Sequence, residues 1–71
     1  MVNVNKLKSV IVERGYSTAE VSTGANIKIG TLYRRYNKPD EFTIGEATAL
    51  VEFLKLSADE ATAIFFNSNV A

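Results

Sequence analysis

Apolar residues recur along this chain at the three- and four-residue steps of an α-helix, and no segment shows the sustained two-residue alternation of a strand. Leu7, Val10 and Ile11 form one such stripe and predict a first helix from about Asn5 to Arg14. Gly15 follows as a residue suited to the left-handed C-terminal cap. Three later starts are marked by a hydroxyl residue with glutamate three positions on: Ser17 with Glu20, Thr43 with Glu46, and Ser57 with Glu60. In this capping box the hydroxyl oxygen accepts from the backbone N–H of the third helical residue, and the glutamate accepts from the N–H of the cap itself. Each cap contributes ~1 kcal/mol. The spacing therefore predicts a short second helix burying Val21 and Ala25, and a fourth with Ile44, Ala47, Leu50, Val51 and Leu54 on one face. A fifth carries Ala61, Ile64 and Phe65. The third runs from about Lys28 to Asn37 and stops before Pro39, with a loop from Lys38 to Phe42. Gly24 and Asn26, both tolerant of positive φ, predict a tight turn between the second and third helices. The expected fold is all-α, a compact bundle of five short helices over residues 1–71.

At 71 residues there is material for one core, since a chain this short buries only ~60% of the surface its unfolded form exposes. The absence of cysteine and histidine removes disulfides, thiolate and imidazole chemistry and the commonest zinc ligands. No metal, cofactor or enzymatic activity is expected. The adjacent carboxylates Asp40-Glu41 and Asp59-Glu60 fall in a loop and a capping box, which already account for them. Nothing approaches the ~18 apolar residues of a membrane span, and the expected location is the cytoplasm.

Formal net charge is zero, but it is unevenly spread. Residues 1–38 hold seven basic and two acidic side chains, and residues 39–71 hold one basic and six acidic. The first half thus suits a polyanion. Within it, the segment from Val21 to Pro39 contains no Asp or Glu. On a helix turning 100° per residue, Leu32, Tyr36, Ile29 and Tyr33 share an arc expected to face inward. Gly30, Arg34, Lys38, Thr31, Arg35 and Lys28 fall on the other side. Such a face suits double-stranded DNA, because the arginine fork donates two bonds to guanine O6 and N7 and discriminates by ~1–3 kcal/mol against the wrong base. Arg34, at mid-face, is the first candidate for base contact, with Thr31 and Lys28 beside it. Arg35 and Lys38, toward the flank, are candidates for phosphate contact. Gly30 would let the backbone approach a phosphate, and Thr18 would offer one the N-terminus of the second helix. Glu46 and Glu60 are expected to serve as capping residues.

The stretch STAEVSTGANIKIGTLYRRYN, Ser17 to Asn37, resembles the helix-turn-helix of the lambda-repressor-like family. TLYRRYNKPDEFT, from Thr31, and SADEATAIFFN, from Ser57, resemble segments of small Cro- and repressor-type regulators of phages of Gram-positive bacteria. The likeness runs from roughly Asn5 to Asn67. It implies a second helix-turn-helix element lying in the major groove, a dimer on a palindromic operator, and an output in the choice between lysis and lysogeny. The chain departs from the family pattern in having Thr18 for a common glutamine, Ser22 for a usual alanine and Asn26 for a usual turn glycine. Ile29 and Gly30 replace an expected polar pair, which leaves base reading to Arg34, Lys28 and Thr31. A second reading keeps the fold but makes the chain an antirepressor or modulator that pairs with another repressor. Ile64-Phe65-Phe66, followed by Val70, offers more aromatic surface than one short helix hides. Phe66 and Val70 are therefore candidates for a homodimer or partner contact, the alternative being that both phenylalanines close the core.

Overall fold

The computed structural model describes residues 2–66. Five α-helices and one 3-10 turn follow in order: α1 Val4–Glu13, α2 Thr18–Ala25, α3 Ile29–Asn37, the 3-10 turn Pro39–Glu41, α4 Ile44–Leu54 and α5 Ala58–Phe65. The all-α class is as the sequence predicts. All three capping boxes are formed. Ser17, Thr43 and Ser57 accept from the N–H groups of Glu20, Glu46 and Glu60 at 3.1, 3.0 and 3.1 Å. The glutamates accept in return from the N–H of each cap at 2.8, 3.0 and 2.9 Å. α1 starts one residue earlier than the stripe suggests, because the Asn3 side chain caps it by accepting from the N–H of Lys6. α3 starts one residue later, with Lys28 as its N-cap and no side-chain hydrogen bond there.

Three of the five described helices, α1, α2 and α4, stop by one device. After α1, Gly15 takes φ +78°, the Tyr16 N–H donates to the Ile11 carbonyl and the Gly15 N–H to that of Val12. This pairing of two orphan carbonyls is the Schellman closure. Asn26 (φ 56°) closes α2 in the same way, with Ile27 N–H donating to Ser22 carbonyl, and Lys55 (φ 54°) closes α4, with Leu56 N–H donating to Val51 carbonyl. Gly24 does not act as a turn residue. It lies inside α2, where a Cβ would overlap the ring of Phe53 on α4. Phe53 in turn meets Tyr16 with ring centroids 4.8 Å apart. The missing side chain is thus what lets α2 and α4 approach.

Leu7, Val21, Leu32, Leu50, Leu54 and Ile64 are the most completely buried side chains. They come from all five helices, and the amphipathic stripes of α1, α2 and α5 bury as their spacing predicts. Two expectations fail. Ile44, assigned to the inner face of α4, is 85% exposed. It is the first helical residue, and because side chains tilt toward the helix N-terminus it overhangs the end of α4. On α3 only Leu32 is fully buried; Tyr36 is partly so, while Ile29 and Tyr33 are exposed. Ile27, in the turn before α3, enters the core, and the helix needs no wider apolar stripe to hold it.

Candidate nucleic-acid interface

The turn from Asn26 to Lys28 sets α3 against α2. Its geometry rests on the left-handed Asn26 and on the Ser22 hydroxyl, which donates to the Ile27 carbonyl across the turn. Beyond it, Lys28, Gly30, Arg34 and Lys38 are exposed and Thr31 is half-buried. The structure therefore brings the three candidate base-contact residues and two of the phosphate candidates onto accessible surface of one short helix and its caps. Lys28, Arg34 and Lys38 form no ion pair among the described residues. Around Gly30 a Cβ would meet nothing within 4 Å. Among the described residues its missing side chain serves no packing, in contrast to that of Gly24.

Arg35 departs from expectation. Its Nε donates to Glu46 Oε1 at 2.9 Å and its second terminal nitrogen to Oε2 at 3.2 Å, with Glu41 at 3.4 Å on the remaining one. This fork-on-carboxylate geometry takes Arg35 out of the set of phosphate clamps and makes it the tie between α3, the 3-10 turn and α4. The reason lies outside α3. Its own sequence has no acid to pair with, but Glu41 and Glu46 approach from the elements that follow. Glu46 consequently does more than cap α4. Hydrogen bonding from Arg35, reinforced by the Thr43 N–H, holds its carboxyl below the usual carboxylate range, and the same contact raises the Arg35 guanidinium. Glu60 has a similar double role, accepting from the Ser57 N–H and from Arg14 at 2.9 Å, and its carboxyl too is lowered, chiefly by the Ser57 bond.

Thr18, half-buried at the first position of α2, opens on a groove of about 330 Å³. Lys8 from α1 and Tyr33, Tyr36 and Asn37 from α3 also line it. The Lys8 ammonium sits 5.0 Å from the centre of the Tyr36 ring, within cation–π range. Burial pushes the Tyr36 phenol up, and its hydroxyl finds no hydrogen-bond partner among the described residues. The sequence pattern singles out neither Lys8 nor Asn37, and it assigns Tyr33 to the inner arc of α3. Lys8 reaches this face from α1 across to Tyr36 on α3, a non-local contact with no signature in the spacing of either helix. Phe66, one of the two partner-contact candidates, is 64% exposed while Phe65 is buried, so the two phenylalanines do not both close the core. Val70 lies outside the described residues. No described helix is long and apolar enough to cross a membrane. Set against known family models, curated proteins and solved structures, the chain matches none of them.

Proposed function

We propose that this chain is a sequence-specific DNA-binding transcriptional regulator of the phage Cro and repressor type, acting in the bacterial cytoplasm. In this reading α2 and α3 act as a helix-turn-helix and α3 enters the major groove of an operator. The observation that supports it is the cationic side of α3, where Arg34, Lys28 and Lys38 stand exposed and unpaired among the described residues while Arg35 beside them is held by carboxylates. A helix whose charge is already neutralised within the fold has little to offer a polyanion; this one keeps three cations available. Arg34 then reads a base with Thr31 and Lys28 near it, and Lys38 and Thr18 hold phosphates.

Titration against random duplex and against DNA upstream of the chain's own gene, at two salt concentrations, tests the proposal. Wild type is expected to prefer the upstream DNA and to weaken steeply with salt. Arg34→Ala removes about five- to 150-fold of that preference, equivalent to ~1–3 kcal/mol, and leaves residual binding. Lys38→Gln weakens both DNAs alike and lowers the salt slope by about 1. A folded protein that binds neither DNA at low salt overturns the reading. The second reading, an antirepressor that acts by pairing with another repressor, draws on the exposure of Ile44 and Phe66, and it is the one that such a result would favour.

A further inference from the structure

The groove walled by α1, the start of α2 and the end of α3 has features that holding a DNA phosphate does not require. Its volume of about 330 Å³ lies near the lower end of small-molecule sites, which run ~300–1,000 Å³ and combine apolar walls with a few polar groups. An apolar cavity of ~150 Å³ already accepts a benzene ring. Ile11 and Val12 from α1 and the rings of Tyr33 and Tyr36 from α3 form the apolar part. The two rings meet edge to face at 6.1 Å, and Tyr33 and Val12 remain 51% and 74% exposed. The Tyr36 hydroxyl is buried and unsatisfied among the described residues, so the fold does not fully account for this wall. Charge on the lining comes from Lys8 alone, and Lys8 forms no ion pair among the described residues. No acid lines the groove, and its field favours an anion.

We propose that this groove binds a small aromatic monocarboxylate, its ring against Tyr33 and Val12 and its carboxylate on the Lys8 ammonium, with Thr18 and Asn37 supplying hydrogen bonds. A bare oxyanion would leave the apolar wall uncovered. A neutral aromatic would leave the ammonium unpaired. Lysine acts as a point charge, without the arginine fork that matches a phosphate, and one ammonium balances a carboxylate better than the ~1.5–2 charges of a phosphate monoester. The Lys8 ammonium lies 5.0 Å from the centre of the Tyr36 ring, which positions it on the wall where the ligand's charge arrives. The inference deepens the operator reading, on which its regulatory consequence rests. Thr18, where that reading places a DNA phosphate, also lines this groove, so bound acid and bound operator exclude each other.

Titration of the whole chain followed by amide NMR shifts decides it, with indoleacetate as the acid, tryptophol as its neutral counterpart and inorganic phosphate as the bare anion. Indoleacetate is expected to give saturable shifts at Lys8, Val12, Thr18, Tyr33 and Asn37, with millimolar affinity. Tryptophol should bind more weakly, and phosphate should leave these amides unmoved. Lys8→Gln weakens indoleacetate by up to about fivefold, as for an exposed ion pair, and Tyr33→Ala by about two- to twelvefold, as for an aromatic pair. Both variants alter exposed side chains, and melting curves check that they fold. No shift at tens of millimolar indoleacetate overturns the proposal. So does tryptophol binding as tightly as the acid, phosphate moving the same amides as far, or Lys8→Gln binding the acid like wild type. Indoleacetate should also release wild type from its upstream DNA beyond what an equal concentration of sodium chloride does; acid that fills the groove without this effect overturns the regulatory consequence. A chain that binds the acid and no DNA counts against the operator reading alone, and one that prefers its operator but ignores the acid counts against this site alone.

Discussion

Arg34 and Arg35 are neighbours on one helix, yet Arg34 points to solvent without an acidic partner among the described residues while Arg35 is gripped by Glu46 and Glu41. The same division separates the two regions that meet at α3. On the seam toward α4, the cation is matched by two carboxylates, and one of those carboxylates also caps the helix it belongs to. On the outer side, Lys28, Arg34 and Lys38 are left over and Gly30 leaves the backbone bare. Glycines divide likewise: Gly24 is a fitting surface for Phe53, and Gly30 touches nothing. A residue with an internal partner is explained by the fold. One without a partner on the described surface is not accounted for by packing, and it is there that the proposed DNA contact is placed.

The largest expected effect comes from the fitted side. Gly24→Ala drives a methyl into the Phe53 ring, which is itself packed on Tyr16, and overpacking of this kind costs about 1–3 kcal/mol. At roughly 4–8 °C per kcal/mol for a domain of this size, thermal unfolding followed by circular dichroism will show the loss. Adding Phe53→Leu should recover part of it. If Gly24→Ala melts like wild type, the contrast between the two glycines collapses. Next comes the arginine pair. Arg35→Gln should lower the melting temperature because Glu46 and Glu41 lose their cation, whereas Arg34→Gln should stay within about 0.5 kcal/mol of wild type, as for an ordinary surface substitution. Equal losses from the two would erase the distinction between seam and outer face.

Acid sharpens the same comparison more gently. Glu46 has its proton affinity lowered in the fold by Arg35 and by the Thr43 N–H, so the unfolded chain binds a proton there more readily than the folded one. Its contribution to stability is fully present above the unfolded carboxyl value of ~4.3 and is lost as pH falls through the lowered folded value. Urea unfolding between pH 6 and pH 3 should show stability falling across that window. The fall should be shallower in Arg35→Gln, where the main cause of the lowered affinity is gone, and as steep as wild type in Arg34→Gln.

Legibility in the sequence followed distance along the chain. The capping boxes were readable because both partners sit three residues apart, and Gly15 and Asn26 because their types favour the left-handed region they occupy. Lys55 takes that region with no such preference, and only the chain's need to turn before Ser57 puts it there. A helical wheel ranks faces but not ends, so it placed Ile44 inside although the first turn of α4 overhangs the core. It also made the inner arc of α3 too wide, because it cannot know that Ile27 already enters the core. The Arg35–Glu46 pair spans eleven positions and two helices, and the Lys8–Tyr36 contact joins the first helix to the third. Neither leaves a periodic trace. At the candidate interface, the charged residues were legible one at a time, but which of them the fold would neutralise was not.

Gly30 offers the smallest effect and the sharpest separation of fold from function. Helical glycine is less favourable than alanine by ~0.5–1 kcal/mol, and nothing lies within 4 Å of the place a Cβ would take. Gly30→Ala should therefore raise stability by a few tenths to 1 kcal/mol, a gain of a few degrees in melting temperature. If α3 lies against DNA as proposed, the added methyl occupies space that the backbone needs for close approach, and affinity for the operator should fall while the fold becomes firmer. Arg34→Ala should differ from it in kind, leaving stability alone and removing sequence preference. A Gly30→Ala protein that is both more stable and equally tight on DNA would mean that the bare backbone does not approach a phosphate. The interface would then centre on Arg34 and Lys38, toward the C-terminal end of α3.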